Sequence, residues 1–357
     1  MKNIGILFMN LVMVIYGKKN LRNNVQDWTT NKNSIYLNNK IINIKGITWN
    51  GFQSENFVLL GLWKHSIEFY LDKIKYNGFN AIRIPYSSEF IYYNSEIIPN
   101  YKTIEKDLEL KNKTSLQILD LLFEKTEKKN ILVTLNLNRL HKDYTSGIWN
   151  DNKTFTNEIF LNSWYTLLDR YKDRKNLFAI DIFEQPSGNY VNFCNNDPYD
   201  WKNFSQYFMQ KIQDRYPDKK WLFFVQGINH NDNFLNLKCD YSQSLMNRIV
   251  FTPHLWNQFQ NMSIKSQIEQ YYNQWDQNFG FLATNNTVMI TKASSDDFFW
   301  MSFLKDYLIQ NKLNNIFLYN LEYSSINGIL EENWSDFDNA KLNIIDDIQP
   351  NSTTIIL

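Results

Sequence analysis

The sequence predicts a single α/β domain, a (β/α)8 TIM barrel, and three observations favour this fold class. The chain has 357 residues, and one such barrel needs about 250. Short apolar runs alternate with longer amphipathic runs, which is typical of strands that are each followed by a helix. No glycine-rich phosphate-binding motif follows a predicted strand, so the structural alternative, an open doubly wound sheet, is less favoured.

The first four strand–helix units fill the N-terminal part of the chain. Their strands are short and almost entirely apolar, as expected of parallel strands that are buried on both faces. In the second helix Leu116, Leu119 and Leu122 fall on one face. The predicted strand and helix pairs are Ile41–Trp49 with His65–Asn77, Ala81–Pro85 with Leu116–Lys129, Ile131–Asn136 with Glu158–Tyr171, and Leu177–Phe183 with Trp201–Tyr216.

Four more units follow in the same pattern, and the helix after the fifth strand has the weakest signal. Because functional residues of a barrel lie at the carboxyl ends of its strands, these ends define the candidate site. The remaining predicted elements are the strand Trp221–Val225, then Ile249–Pro253 with Ser266–Asn278, Val288–Ile290 with Phe298–Gln310, and Ile316–Leu321 with Phe337–Ile348.

The charge balance argues against a nucleic-acid-binding protein. The chain has 37 Lys and Arg residues against 37 Asp and Glu residues, so its net charge exerts no long-range attraction on phosphate backbones. Hydrophobic residues make up 43% of the chain, enough to form a sizeable core. No metal or cofactor is predicted, because no ligand spacing connects the four histidines, His65, His141, His230 and His254.

The N-terminus has the features of a secretory signal peptide. Lys2 precedes an apolar stretch from Ile4 to Tyr16, which ends at the small residue Gly17. A first core strand is the alternative interpretation of this stretch. We predict a signal peptide over residues 1–17, a barrel domain over residues 18–357, and a secreted monomer. No later segment offers the roughly 20 apolar residues of a membrane span.

The two cysteines leave two interpretations open. Cys194 follows the predicted fourth strand and Cys239 follows the fifth, so both lie in neighbouring loops on one face of the predicted barrel. A disulfide between these loops and a pair of buried thiols are equally compatible with the sequence.

Several short motifs, in order along the chain, resemble glycoside hydrolase family 5, the cellulase or endoglucanase barrel. The resemblance runs from about Ile41 to the end of the chain. The motifs are GITWNGF at 46–52, GLW at 61–63, GFNAIRIPYS at 78–87, DIFEQP at 181–186, WLFFVQG at 221–227 and FTPH at 251–254. Together they identify the chain as similar to this family in fold and ancestry.

The resemblance implies a reaction that this chain is not equipped to perform. The family uses one carboxylic acid to protonate the leaving oxygen and a second carboxylate, about 5 Å away, to attack the anomeric carbon. At the acid/base position, the E of the family's N-E-P, this sequence has Gln185. An amide neither releases nor accepts a proton near neutral pH.

The nucleophile position is also changed. Aligning residues 287–294, TVMITKAS, with the family's seventh-strand P-V-W-x-G-E-F-G places Lys292 at the nucleophile, on the support of Val288 and the spacing. Elsewhere Gln53 and Gln226 stand where the family has Glu, and Asn138 stands where it has His. The resemblance therefore predicts a catalytically inactive protein.

Two displaced acids define the alternative, an active enzyme. Glu184 occupies the family's Asn position, and Glu322 follows the eighth strand. They could form a relocated catalytic pair, or they could be ordinary carboxylates, with Glu184 paired to Arg83. A salt bridge from Lys292 to either acid is a third interpretation, and it would fill the old active site.

The residues that remain at the strand ends could bind a sugar. The predicted substrate-binding residues are Arg83, Asn138, Glu184, His254, Trp256 and Trp49. Tryptophan rings can stack on pyranose faces, although packing is an equally common role for a Trp at a strand end. We expect a β-linked glucan or another cell-wall polysaccharide as the partner. The alternatives are an active endo-β-glucanase that hydrolyses O-glycosyl bonds through Glu184 and Glu322, and a structural surface protein with no sugar ligand.

Overall fold

Eight parallel strands form a barrel in the computed structural model, which describes residues 26–151, 153–229, 232–257, 264–324 and 326–357. The predicted signal peptide lies outside the described residues. Each of the first six strands pairs with the next one in the chain, and the eighth pairs with the first through Asn320 and Thr48. The barrel strands are Gly46–Thr48, Ala81–Ser87, Leu132–Arg139, Leu177–Asp181, Leu222–Val225, Ile249–Phe251, Thr287–Val288 and Asn320–Tyr323.

Contacts between the seventh and eighth strand segments close the barrel. Ile290 bridges Ile316 in parallel, and the Phe317 N–H donates to the Ile290 carbonyl at 2.8 Å. Beyond the sixth and seventh strands, His254–Trp256 pairs in parallel with Lys292–Ser294. A short strand, Gly328–Leu330, lies along the eighth strand. The predicted (β/α)8 TIM barrel is confirmed.

Helices follow the strands close to the predicted positions, and polar caps fix where several of them begin. Thr114 and Gln117 form a reciprocal capping box, and Asp297 accepts from the N–H groups of Phe299 and Trp300. The helices are Ile67–Tyr76, Ser88–Tyr93, Tyr101–Ile104, Ser115–Lys128, Asn157–Tyr171, Trp201–Arg215, Gln243–Met246, Ile264–Asn278, Phe298–Gln310 and Asn339–Ile348, with 3-10 turns at Leu108–Leu110 and Gly280–Thr284. After the fifth strand, where the sequence signal is weakest, the helix has only four residues.

A small antiparallel sheet precedes the barrel, and the predicted first strand is wrong in its extent. Trp28–Asn31, Ser34–Leu37 and Lys40–Ile42 form this sheet, while the first barrel strand is only Gly46–Thr48. Asn38 and Asn39 take left-handed backbone angles, with φ of 51° and 66°, and so allow a tight turn between strands. The apolar run from Ile41 to Trp49 therefore spans two separate elements.

The buried hydrophobic residues form two clusters, one outside the barrel and one inside it. The larger cluster packs the helices against the outside of the barrel. The inner cluster joins the N-terminal sheet to residues that point into the barrel, such as Leu132, Phe178, Phe224 and Phe317. Trp28 contacts Phe178 with ring centroids 5.3 Å apart, which fills the N-terminal end of the barrel. Among the described residues, none of the helices is long and apolar enough to cross a bilayer.

Candidate functional site

A polar cavity of about 230 Å³ opens at the carboxyl ends of the barrel strands. This is the end at which barrel proteins carry their chemistry. Most of its side chains are amides or charged groups: it is lined by Thr48, Asn50, Gln53, Arg83, Asn138, Arg139, Thr145, Glu184, Gln185, Lys292, Asn320, Glu322 and Asn327. The structure therefore brings together seven of the residues singled out in the sequence: Gln53, Arg83, Asn138, Glu184, Gln185, Lys292 and Glu322.

A buried ion-pair network forms the floor of the cavity. Arg83 donates from Nε to Asp181 Oδ2 at 2.7 Å and from Nη2 to Glu184 Oε2 at 2.8 Å. All three side chains are at least 94% shielded from solvent. Because a guanidinium can donate in two directions at once, a single Arg83 holds both carboxylates. The expectation that Glu184 pairs with Arg83 is confirmed.

The network keeps Glu184 ionised. Burial alone would raise the pKa of this carboxyl, but the charges of Arg83 and Lys292, together with the Arg83 hydrogen bond, lower it to about 2. Asp181 shows the opposite balance, since burial raises its pKa above the ordinary value and the nearby charge of Glu184 adds to the effect. Glu184 is therefore a carboxylate at any pH near neutrality and cannot serve as a proton donor there.

Gln226 connects Asp181 to the backbone at Gln185. Its Oε1 accepts the Gln185 N–H at 3.1 Å, and its Nε2 donates to Asp181 Oδ1 at 3.1 Å. An amide can accept and donate at the same time, whereas an ionised glutamate here would face Asp181 with the same charge. Gln185 itself has a φ of 60°, a left-handed conformation that is uncommon for residues other than glycine. The Gln226 amide thus anchors the backbone of Gln185 in the loop that follows the fourth strand.

Amides hold Glu322 on the opposite side of the cavity. Asn50 Nδ2 donates to Glu322 Oε2 at 3.2 Å, and Asn320 Nδ2 donates to Oε1 at 3.0 Å. Asn50 is fixed in turn by Gln53, whose Nε2 donates to Asn50 Oδ1 at 3.0 Å. Both carboxylate oxygens of Glu322 therefore already have a neutral donor.

Lys292 enters the cavity from the strand extension after the seventh strand. In the parallel pairing it lies beside His254, and its ammonium lies 5.0 Å from the ring centroid of Trp256. This separation allows a cation–π contact. Among the described residues, Lys292 makes no salt bridge with Glu184 or Glu322, so the interpretation in which such a bridge fills the site is wrong.

Three predicted sugar-binding residues, Trp49, His254 and Trp256, are absent from the described residues that line the cavity. Trp49 is fully buried: its Nε1 donates to the Leu60 carbonyl at 2.9 Å and its ring packs edge-on against Tyr70. A ring without an exposed face cannot stack on a pyranose, so this prediction is wrong. His254 is also fully buried and is absent from the described residues that line the cavity. Burial lowers the pKa of its imidazole well below the ordinary value, which leaves the ring neutral.

Several lining residues were not identified from the sequence as site residues. They are Thr48, Asn50, Arg139, Thr145, Asn320 and Asn327. Asn50 lies two residues after the first strand and Arg139 ends the third strand beside Asn138, so position alone could have indicated them. Asn327 and Thr145 lie in loops, where the sequence contains no periodic signal.

A disulfide joins the loops after the fourth and fifth strands. Cys194 and Cys239 are bonded, with Cα atoms 5.8 Å apart. The disulfide interpretation of the two cysteines is therefore confirmed. The bonded loops lie beside a second cavity of about 480 Å³, lined by Gln185, Ser187, Gly188, Asn189, Val191 and Asn229. Gln185 borders both cavities, so they meet at this residue.

The fold and the position of its cavity define a protein of the (β/α)8-barrel class whose site lies at the carboxyl ends of the strands. Within the described residues, no group of three or more His, Cys, Asp or Glu side chains is arranged to hold a metal ion. The sequence matches the family described as cellulase, glycosyl hydrolase family 5, over residues 38–298. The chain belongs to this family.

Known relatives support the same assignment. An endoglucanase from Paenibacillus polymyxa is 25% identical over 331 residues, which cover 84% of this chain and 81% of the relative. The major extracellular endoglucanase of Xanthomonas campestris pv. campestris is 22% identical, with 86% and 67% of the two chains covered. Among solved structures, an endocellulase from the archaeon Pyrococcus horikoshii has a TM-score of 0.82 at 24% identity, with 90% of this chain and 98% of that chain covered. A complex of that endocellulase with cellotetraose has a TM-score of 0.80 and the same coverage.

Proposed function

We propose that this protein is a family 5 barrel that binds a β-linked glucan, or a related cell-wall polysaccharide, without hydrolysing it. Its relatives are endoglucanases, and a structural neighbour has been crystallised with cellotetraose. The observation that carries the proposal is the state of the carboxylates in the cavity. Glu184 is held by Arg83, and Glu322 is held by two amides.

Hydrolysis with retention needs a carboxylic acid and a carboxylate at defined positions. We assign Gln185 to the acid/base position and Lys292 to the nucleophile position, and the presence of both in one cavity supports this assignment. An amide cannot transfer the proton. An ammonium cannot form the glycosyl ester that a carboxylate nucleophile forms.

An active endoglucanase is the second candidate, because Glu184 and Glu322 line the same cavity. Against it stands the pKa of Glu184, which Arg83 and the neighbouring charges hold at about 2 in spite of burial. A general acid works best with a pKa near the operating pH. Glu322 would then have to supply the proton while both of its oxygens accept hydrogen bonds.

Turnover of soluble cello-oligosaccharides by the purified protein separates the two candidates. We expect no hydrolysis above the level of a heat-denatured sample. Hydrolysis that is abolished by Glu184→Gln, with folding intact, would overturn our proposal in favour of the displaced pair. Asp143→Asn, which changes an exposed carboxylate outside the cavity, is the matched control.

Binding of the same oligosaccharides tests the sugar ligand. Trp256 lies half-buried beside Lys292 and is the one predicted stacking ring that is not fully buried. We expect calorimetric binding that weakens in Trp256→Ala. If no cello-oligosaccharide or related β-glucan binds, the third interpretation, a structural surface protein, replaces the proposal.

The two catalytic positions can be tested by restoring their carboxyl groups. If Gln185 and Lys292 occupy the acid/base and nucleophile positions, Gln185→Glu combined with Lys292→Glu should produce measurable hydrolysis, and neither single variant should. A folded but inactive double variant would contradict the placement of Lys292 at the nucleophile position.

We also propose that residues 1–17 are a signal peptide and that residues 18–357 form one secreted, monomeric domain. The Cys194–Cys239 disulfide is the kind of bond that persists in an oxidising compartment. One relative is described as extracellular. Expression in a secreting host should release protein whose N-terminal residue is Lys18, and retention of the leader in the released protein would contradict this cleavage site. Sedimentation should give the mass of one barrel.

A further inference from the structure

Two cations in the cavity have no carboxylate partner. Lys292 and Arg139 both line the cavity and are half-buried. Every Asp and Glu of the chain lies in the part that the structure describes. None of them comes within 4 Å of the Lys292 ammonium or the Arg139 guanidinium, whereas Arg83, deeper in the same cavity, contacts two.

The acids of the site are already engaged elsewhere. Asp181 and Glu184 are buried against Arg83, and Glu322 accepts from the amides of Asn50 and Asn320. The site therefore has three cations and three acids. All three acids already have hydrogen-bond donors, whereas two of the cations have no carboxylate partner. A ligand that enters would meet two cations without a carboxylate partner, and the one accessible carboxylate already has its donors.

The two cations line the same cavity and both interact with one buried carboxylate, that of Glu184. The positive charge of Lys292 helps to lower the pKa of Glu184, and the negative charge of Glu184 acts on Arg139. Both groups are therefore close enough to the same buried carboxylate to interact with it across the site. Arg139 donates from Nε to Asn138 Oδ1 at 2.9 Å and from Nη1 to the Lys142 carbonyl at 3.5 Å. Among the described residues its Nη2 has no acceptor, so this end of the guanidinium can contact a ligand.

We infer that the cavity recognises an acidic saccharide, a β-linked sugar that carries a carboxylate, with Lys292 and Arg139 as its charge partners. The inference rests on the proposed saccharide binding and specifies the class of sugar. A carboxylate accepts hydrogen bonds from a guanidinium and an ammonium at once. The surrounding amides of Asn50, Gln53, Asn138 and Gln185 suit the hydroxyl groups of the same ring. A half-buried cation is also poorly hydrated, which strengthens its attraction to an anion.

Calorimetry with two matched disaccharides tests this inference. The probes are cellobiose and the disaccharide in which glucuronate replaces its non-reducing glucose. We expect the uronate to bind at least about tenfold more tightly at about 20 mM salt. The preference should shrink at about 500 mM salt, since ions screen charges beyond a few ångströms there.

Lys292→Met removes the charge and keeps most of the side-chain length. It should lower uronate affinity at least about tenfold and bring it close to the affinity for cellobiose. Arg139→Gln should act in the same direction. Lys142→Met is the matched control, because Lys142 pairs with Asp143 outside the cavity and should leave both affinities unchanged. Unchanged denaturation midpoints would show that the variants fold.

The outcomes separate the inference from the proposed function. Equal affinity for the two disaccharides would overturn the acidic ligand and leave saccharide binding standing. A uronate preference that persists in Lys292→Met and Arg139→Gln would overturn the role of these two residues. Tighter binding of a sulfated cellobiose than of the uronate would overturn the carboxylate as the recognised group and would indicate a sulfate ester instead. Failure of every sugar to bind would overturn the proposed function itself.

Discussion

Replacing Arg83 by methionine would remove the one cation among the described residues that forms a salt bridge with Asp181 and Glu184. Both contacts are short, at 2.7 and 2.8 Å, and buried. Breaking one partner out of a buried ion pair costs about 3–5 kcal/mol, because the remaining charge is left without compensation. The lowering of the Glu184 pKa from 4.5 to about 2 corresponds to about 3 kcal/mol at neutral pH. We therefore expect Arg83→Met to lower the free energy of unfolding by about 3–5 kcal/mol at pH 7.

The pH dependence gives this prediction a second signature. Glu184 contributes stability above pH 4.5, its unfolded value, and this contribution is lost as the pH falls through about 2. Without Arg83, burial dominates and raises the pKa of both carboxyls, so the variant gains stability by taking up protons as the pH falls. The difference between the wild-type protein and the variant should therefore narrow from pH 7 towards pH 4.

Urea denaturation at pH 7 and pH 4 measures both effects, provided that the slope with denaturant stays constant. Arg170→Met is the matched control, because Arg170 pairs with Asp120 at the surface and should cost less than about 1 kcal/mol. A loss below about 1 kcal/mol for Arg83→Met, or a loss that does not change with pH, would refute the account of a buried network held by Arg83.

Three further changes test other parts of the structure. Changing Cys194 and Cys239 to serine should cost about 4 kcal/mol in a chemical denaturation, since the bond closes a 45-residue separation; an unchanged midpoint would contradict the bond. Gly46→Ala should lower the melting temperature, because the new Cβ would lie 2.2 Å from the buried Phe317 ring. Trp49→Phe should cost about 1–3 kcal/mol through the lost Leu60 hydrogen bond and leave saccharide affinity unchanged. Weakened binding by that variant at unchanged stability would restore the stacking role.

Local patterns predicted most of the fold. The helix Phe298–Gln310 has its predicted bounds, and the helix Trp201–Arg215 ends one residue early. These elements follow from amphipathic periodicity, which depends on near neighbours along the chain. The N-terminal sheet was missed because its strands have only three or four residues each. Such short segments contain too few side chains for an alternating pattern to stand out.

Part of the candidate site was predictable for a different reason. Strand ends meet at one rim of a barrel, so residues such as Gln185, Glu184 and Lys292 could be assigned to one site from the predicted strands and the family motifs. What their side chains do there could not be assigned. Trp49 also lies directly after a strand, yet it turns into the core and contacts Leu60 and Tyr70.

The sequence by itself predicted the barrel and the family, and it placed Gln185 and Lys292, which carry no carboxyl group, at the proposed catalytic positions. Only the tertiary structure decided which partners the charged groups of the site have. Arg83 reaches Asp181 across 98 residues of sequence, and Asn50 reaches Glu322 across 272. Hydrogen bonds and charges act over a few ångströms of space, so the ionisation of Glu184 and the availability of Lys292 and Arg139 depend on which strand ends the closed barrel brings together.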